Sequence, residues 1–173
     1  MDRSLVFLLD RSGSMETCWD DTIGGFNSCM SDQKARGGKL TLIQFDNEIL
    51  ESYIQKDLAD IEPLTRLTYI PRGSTALLDA VGHVLKSDFQ KPTVIILTDG
   101  LENSSKKYTK AHIKDLVEHK TKEGWTFVYL GANQDAFAEA GGLGIGPAST
   151  MSYESTKTCE IFTQLSATLS RAA

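Results

Sequence analysis

Leu5-Val6-Phe7-Leu8-Leu9-Asp10-Arg11-Ser12-Gly13-Ser14 is an apolar run that passes directly into a polar, hydroxyl-rich loop. Five consecutive apolar residues without polar alternation read as a β-strand covered on both faces. Strands of that kind belong to parallel sheets flanked by helices, and there ligands bind outside the carboxyl ends of the strands. Asp10-Arg11-Ser12-Gly13-Ser14 stands at such an end. A second run of the same kind, Thr93-Val94-Ile95-Ile96-Leu97-Thr98, leads into Asp99-Gly100. The two aspartates, remote in sequence, therefore point to one rim.

Outward from these strands, short apolar runs alternate with segments of helical period. Trp19, Ile23, Phe26 and Met30 predict a helix that ends at Gly37-Gly38. Gly24-Gly25 should weaken it by ~1 kcal/mol per glycine unless close packing requires them. Leu40 to Phe45 reads as a strand, Asp46-Asn47 as a turn, and Glu48 to Gln55 as the strand returning antiparallel. Gly73-Ser74-Thr75 opens a second helix marked by Leu77, Leu78, Val81, Val84 and Leu85. A third helix carries Ile113, Leu116 and Val117, with Thr109 as its cap. Then come a strand from Trp125 to Leu130, a short helix near Gln134 to Ala140, a glycine-rich loop from Gly141 to Pro147 and a short edge strand from Ala148 to Met151. The last helix, Tyr153 to Ala172, presents Cys159, Phe162, Leu165 and Leu169. The expected architecture is α/β: one domain over residues 1–173, three-layer and doubly wound, its sheet mostly parallel with one antiparallel edge strand.

Composition narrows the function classes. The 173 residues are 40% hydrophobic and 24% charged with a net charge of -5, which disfavours nucleic acid as the main partner. No stretch approaches the ~20 apolar residues of a membrane span, and the first strand is too short for an export signal. Three cysteines, an odd number, do not form a secreted disulfide framework. The expectation is a cytoplasmic protein with reduced thiols; the oligomeric state stays open, with a monomer favoured. His83, His112 and His119 fall on helices without partners in a zinc-site pattern. The glycines from Gly141 to Gly146 do not follow the first strand, so they make no dinucleotide fingerprint.

Asp10, Ser12, Ser14, Thr75 and Asp99 remain as the chemical constellation. All are hard oxygen donors, which suit Mg²⁺, Mn²⁺ or Ca²⁺ rather than zinc or copper. Taken singly, each has a plain structural reading: Ser14, Thr17 or Thr75 as helix caps, Asp99 as a turn residue. Glu102-Asn103 either rims this site or lies in a solvated loop. Arg11, Met15 and Arg72 stand near the rim, where they either face a partner or do not.

Asp10-x-Ser12-x-Ser14, Thr75 in a Gly-Ser-Thr turn, and Asp99 in Thr98-Asp99-Gly100 together resemble the metal-ion-dependent adhesion site (MIDAS) of von Willebrand factor A (vWA) domains. The order of helices and strands resembles that family over nearly the whole chain. Only Trp19 to Gly25 departs, being richer in polar residues and glycine. The resemblance implies a cation, Mg²⁺ first, at the upper rim of the sheet. Ser12 and Ser14 would coordinate it through their hydroxyls, and Thr75 directly when a partner is bound. Asp10 and Asp99 would act largely through water. It further implies a binding module, not an enzyme, that captures an Asp or Glu carboxylate of a protein partner. Two alternatives stay open: a metal-stabilised scaffold subunit of a larger, for example ATPase-associated, complex, and a Mg²⁺-dependent phosphotransferase with Asp10 as nucleophile.

Overall fold

A computed structural model describes residues 3–99 and 101–171. Gly100 and Ala172, which entered the expectations above, lie outside the described residues. Six strands form one sheet in the order β3-β2-β1-β4-β5-β6. They are β1 (Ser4–Asp10), β2 (Lys39–Phe45), β3 (Ile49–Asp57), β4 (Thr93–Thr98), β5 (Thr126–Ala132) and β6 (Thr150–Tyr153). Neighbouring strands run parallel except β2 and β3, so the expected doubly wound sheet with one antiparallel edge is what the chain adopts.

β1 shows why the opening run has no polar alternation. Leu5, Phe7 and Leu9 pack on one face against α1 (Trp19–Lys34) and α5 (Thr158–Arg171), through Phe26, Met30, Phe162 and Leu165. Val6 and Leu8 pack on the other against α2 (Leu77–Leu85), α3 (Lys110–Lys122) and α4 (Ala136–Gly142). Both faces bury their side chains, so both periods of the strand must be apolar.

The two glycines of α1 separate cleanly. Gly24 is exposed with open space where a Cβ would stand, whereas a Cβ on Gly25 would meet Phe162 Cδ2 at 2.3 Å. Phe162 cannot retreat, because its ring stacks on Phe7 with centroids 6.3 Å apart. Gly24→Ala is therefore expected to stabilise by roughly 0.5–1 kcal/mol through helix propensity. Gly25→Ala is expected to destabilise by about 1–3 kcal/mol through overpacking. Urea unfolding of both variants checks this; a shared sign for the two shifts would contradict the packing argument.

Four expectations need correction. β3 begins and ends later than Glu48 to Gln55, and a bulge opposite Leu40 to Ile43 breaks its alternation; Gln55 there has φ 49°. Gly141-Gly142 belong to α4 rather than to a loop. β6 starts two residues later than expected, after a short 3-10 turn at Pro147–Ser149. α5 starts at Thr158 and turns Cys159 outward, because Ile161 beside Phe162 shifts the apolar stripe.

Candidate metal centre

The sheet order places the site. Chain connections leave β1 toward β2 and β4 toward β5, so the crevice between the ends of β1 and β4 is the topological switch point. Asp10 is the last residue of β1 and Asp99 directly follows β4.

Asp10 is 0% exposed. One carboxylate oxygen accepts from Ser12 N at 2.6 Å and the other from Thr98 Oγ1 at 2.6 Å. Its backbone carbonyl accepts from the buried Tyr69 hydroxyl at 2.7 Å. Ser12 and Ser14 bring their hydroxyls within 3.2 Å of each other, and Ser14 Oγ donates to Asp99 Oδ1 at 2.7 Å. A continuous polar chain thus runs from Asp10 through Ser12 and Ser14 to Asp99.

Thr75 reaches the same rim by backbone fastening. Gly13 N donates to Gly73 O at 3.0 Å, tying the loop before α2 to the loop after β1. Thr75 N donates to Asn103 Oδ1 at 2.9 Å, and Asn103 N returns a bond to Thr75 O at 2.9 Å. Thr75 is 3% exposed. Its hydroxyl is not spent as a helix cap. The cap position of α2 is Ala76, and the free amides of the first turn go elsewhere: Leu78 N to Glu102 at 3.1 Å and Asp79 N to Ser105 Oγ at 2.9 Å. Ser12 stands at the cap position of the 3-10 turn Gly13–Cys18 without a side-chain cap bond, and Thr17 Oγ1 binds back to Ser14 O at 3.1 Å. Capping therefore does not account for the hydroxyls of Ser12, Ser14 and Thr75.

Burial pushes the Asp10 carboxyl up to about 6, against hydrogen bonds from Thr98 and Ser12 that pull it down, and Asp99 adds to the rise. Burial also raises Asp99, with the Ser14 bond opposing. A carboxyl held two units high is penalised as a carboxylate by about 3 kcal/mol at neutral pH, at 1.36 kcal/mol per unit. A cation at the rim would offset that penalty. The donors fit a hard dication: two carboxylates and three hydroxyls, with no thiolate or imidazole. Among the described residues no group of three or more His, Cys, Asp or Glu side chains gathers as a metal site, so hydroxyls would have to complete any coordination here.

Several participants carry no sequence signal. Tyr69 is one; Tyr153 is another, its hydroxyl buried without a hydrogen-bond partner and its acidity lowered by burial and by the nearby carboxylates of Asp99 and Asp10. Glu102-Asn103 lies in a loop with Asn103 exposed, and this loop is tied down: Asn103 binds Thr75, and Glu102 accepts from Leu78 N at the start of α2. Met15 is buried in the core rather than facing a partner. Arg11 and Arg72 turn to Asp46, which is fully buried: Arg72 Nε lies 2.6 Å and Arg11 Nε 3.2 Å from Asp46 Oδ2. The histidines stay off the rim as expected; His83 Nε2 lies 2.7 Å from Glu51.

No protein-family model matches the sequence, and no curated protein is similar to it. Solved structures do match. The von Willebrand domain of the type V pili tip protein Mfa5 from Porphyromonas gingivalis superposes with a TM-score of 0.73 at 12% identity, over 99% of this chain and 96% of that one. The chain has the von Willebrand factor A fold. Proximal thread matrix protein 1 from the mussel byssus gives a TM-score of 0.69 at 18% identity over 95% of this chain, and the same protein is known with a zinc-occupied MIDAS motif. This chain spans about half the length of that protein, 45%. Manganese-loaded TRAP from Plasmodium vivax gives 0.65 at 17% identity, over 92% of this chain and 71% of that one. At these identities the likeness establishes the vWA fold, and roles for individual residues are a separate matter. In the byssus neighbour the MIDAS motif holds zinc. Among the described residues no helix is long and apolar enough to cross a membrane.

Proposed function

We propose that Asp10, Ser12, Ser14, Thr75 and Asp99 hold one divalent cation and that the protein uses it to bind a carboxylate of a protein partner. The observation that carries this reading is the Asp10–Ser12–Ser14–Asp99 polar chain: the Ser12 amide binds the buried Asp10 carboxylate, and the Ser12 and Ser14 hydroxyls, which no helix cap consumes, lead on to Asp99. Mg²⁺ is the first choice, with Mn²⁺ and Ca²⁺ as alternatives on the same donors. Neutral hydroxyl ligands leave a dication electrophilic, and a partner's Asp or Glu completes its shell. The zinc and manganese forms of the neighbours support divalent binding in general.

We read the protein as a binding module rather than an enzyme. Each Asp10 oxygen already accepts a short bond and the side chain is sealed from solvent, which ill suits attack on a phosphoester. The scaffold reading stays second, because a buried pair of carboxylates would also gain stability from a cation with no partner involved. The cytoplasmic setting rests on the odd cysteine count and draws no support from the byssus and pilus neighbours.

The test is capture of partners from source-cell lysate on immobilised protein, in Mg²⁺ and in chelator, with Thr75→Ala beside wild type. A partner held only by wild type in Mg²⁺, with the variant unfolding at the wild-type temperature, is the expected result. Retention of the same partner in chelator and by the variant would move the interface off the rim.

A further inference from the structure

A groove of about 830 Å³ opens beside the rim, lined by Ser74 and Ala76 on either side of Thr75. Its floor is α2, through Asp79 and His83, with Lys86 just past its end; its walls are the β2–β3 turn and the segment from Ser104 to Tyr108. The second wall is built in advance. Asp79 accepts from the backbone amides of Lys106, Lys107 and Tyr108 at 2.9, 3.0 and 3.1 Å. Ser104 N also donates to Thr75 O at 3.2 Å, joining this wall to the rim. A Cβ on Gly82 would meet the Tyr108 ring at 2.4 Å, so that ring lies close on α2, and Lys86 Nζ sits 5.3 Å from its centroid.

The charges of the groove do not cancel. Asp79 is satisfied by three amides, Glu48 is paired with Arg72 at 2.6 Å, and His83 with Glu51 at 2.7 Å. Lys86, Lys106 and Lys107 are exposed and have no ion pair among the described residues. Three lysines thus face one groove against the carboxylate of Asp79, whose charge the amides do not cancel, and a positive surplus remains in a chain whose net charge is -5.

We propose that this groove receives an acidic stretch of the same partner segment whose carboxylate reaches the cation, so that Lys86, Lys106 and Lys107 select acidic peptides over single exposed carboxylates. This rests on the cation reading above and adds the sequence class of the partner. The lysines act through charge complementarity on a preformed wall, and binding through them weakens with salt.

The experiment is an amide-resolved NMR titration of the ¹⁵N-labelled chain in Mg²⁺ and in chelator. Two capped probe peptides are used, one alternating Gly and Glu over eight residues, the other five residues long with a single central Glu. Expected are shifts at the Ser12 and Thr75 amides with both peptides, shifts at Lys106 and Lys107 with the octapeptide alone, and about ten-fold tighter binding of the octapeptide at low salt. Lys86→Gln, Lys106→Gln and Lys107→Gln combined should bring the octapeptide down to the single-Glu level while leaving the rim shifts in place. Mg²⁺-dependent binding with no affinity gap between the peptides, or a gap that survives the triple variant, overturns the groove and leaves the cation reading standing. Lysine-dependent octapeptide binding that ignores Mg²⁺ and spares the rim amides overturns the cation reading, and with it the shared partner segment. An oligouridylate that shifts the groove amides and binds tighter than the octapeptide assigns the groove to nucleic acid and also overturns the proposal.

Discussion

Asp10→Asn is expected to leave the metal-free protein about as stable as wild type and to erase its thermal response to Mg²⁺. The carboxylate is fully buried, and its partners are an amide, a hydroxyl and the like charge of Asp99. Removing its charge recovers a penalty of about 3 kcal/mol, a net figure from which the Ser12 and Thr98 bonds are already deducted. An asparagine keeps one acceptor for Ser12 N, but it turns an NH2 donor toward the Thr98 hydroxyl, which then loses Asp10 as its acceptor at a cost of about 1–3 kcal/mol. These amounts nearly cancel. In the presence of cation the two proteins part. Wild type at a hundred times Kd gains about 2.7 kcal/mol, a rise of roughly 5–10 °C in Tm for a domain of this size. The variant has lost one of the two carboxylates in the proposed donor set and should show little rise. Differential scanning fluorimetry with Mg²⁺, Mn²⁺, Ca²⁺ and Zn²⁺ decides both halves and ranks the metals. A variant that keeps the full rise would place the cation elsewhere.

The features legible in the sequence are those that repeat along the chain. β4 takes the expected bounds because a strand buried on both faces is a continuous apolar run with polar ends. Thr109 caps α3, accepting from His112 N at 3.2 Å, because capping is a local contract over three residues. The expectation that Asp10 and Asp99 share one rim could be formed because strand ends are visible in the sequence: Asp10 closes β1 and Asp99 follows β4. The stripe of α5 was misread at Cys159 because Ile161 and Phe162 are both apolar, and packing against Gly25 and Phe7 selects the angle. The illegible residues bridge loops distant in sequence. Tyr69 holds the Asp10 carbonyl, Asn103 holds Thr75, and Asp46 holds two arginines; no periodicity announces a side chain whose partner is dozens of residues away. Asp46-Asn47 looked like an ordinary turn because half of its role is ordinary: Asp46 Oδ1 accepts from Glu48 N at 2.6 Å.

The other half of that role predicts the second large effect. Asp46→Ala is expected to destabilise the protein by roughly 3 kcal/mol, near the lower end for breaking a buried ion pair. Asp46 is 0% exposed and joins three segments that frame the rim. Oδ2 takes Arg72 at 2.6 Å and Arg11 at 3.2 Å, and the backbone carbonyl takes Ala76 N at 2.9 Å ahead of α2. Arg72 is half exposed and can return to water, so its loss is small. Arg11 cannot: its side chain is 12% exposed, and its Nε, buried, has no aligned hydrogen bond even now. Alanine at position 46 would strand that guanidinium between β1 and β2, one residue after Asp10 and one before Ser12. Urea unfolding should show a lower midpoint at unchanged m. Asp46→Asn separates charge from geometry, because it keeps the acceptor for Glu48 N while discarding the counterion; it should retain the turn and still lose most of the stability. If both variants unfold within ~0.5 kcal/mol of wild type, the range of an ordinary surface substitution, Arg11 is solvated by some other route. Should the loss appear as expected, Mg²⁺ affinity is the next quantity to fall, since the residue displaced lies within the Asp10-x-Ser12 loop itself.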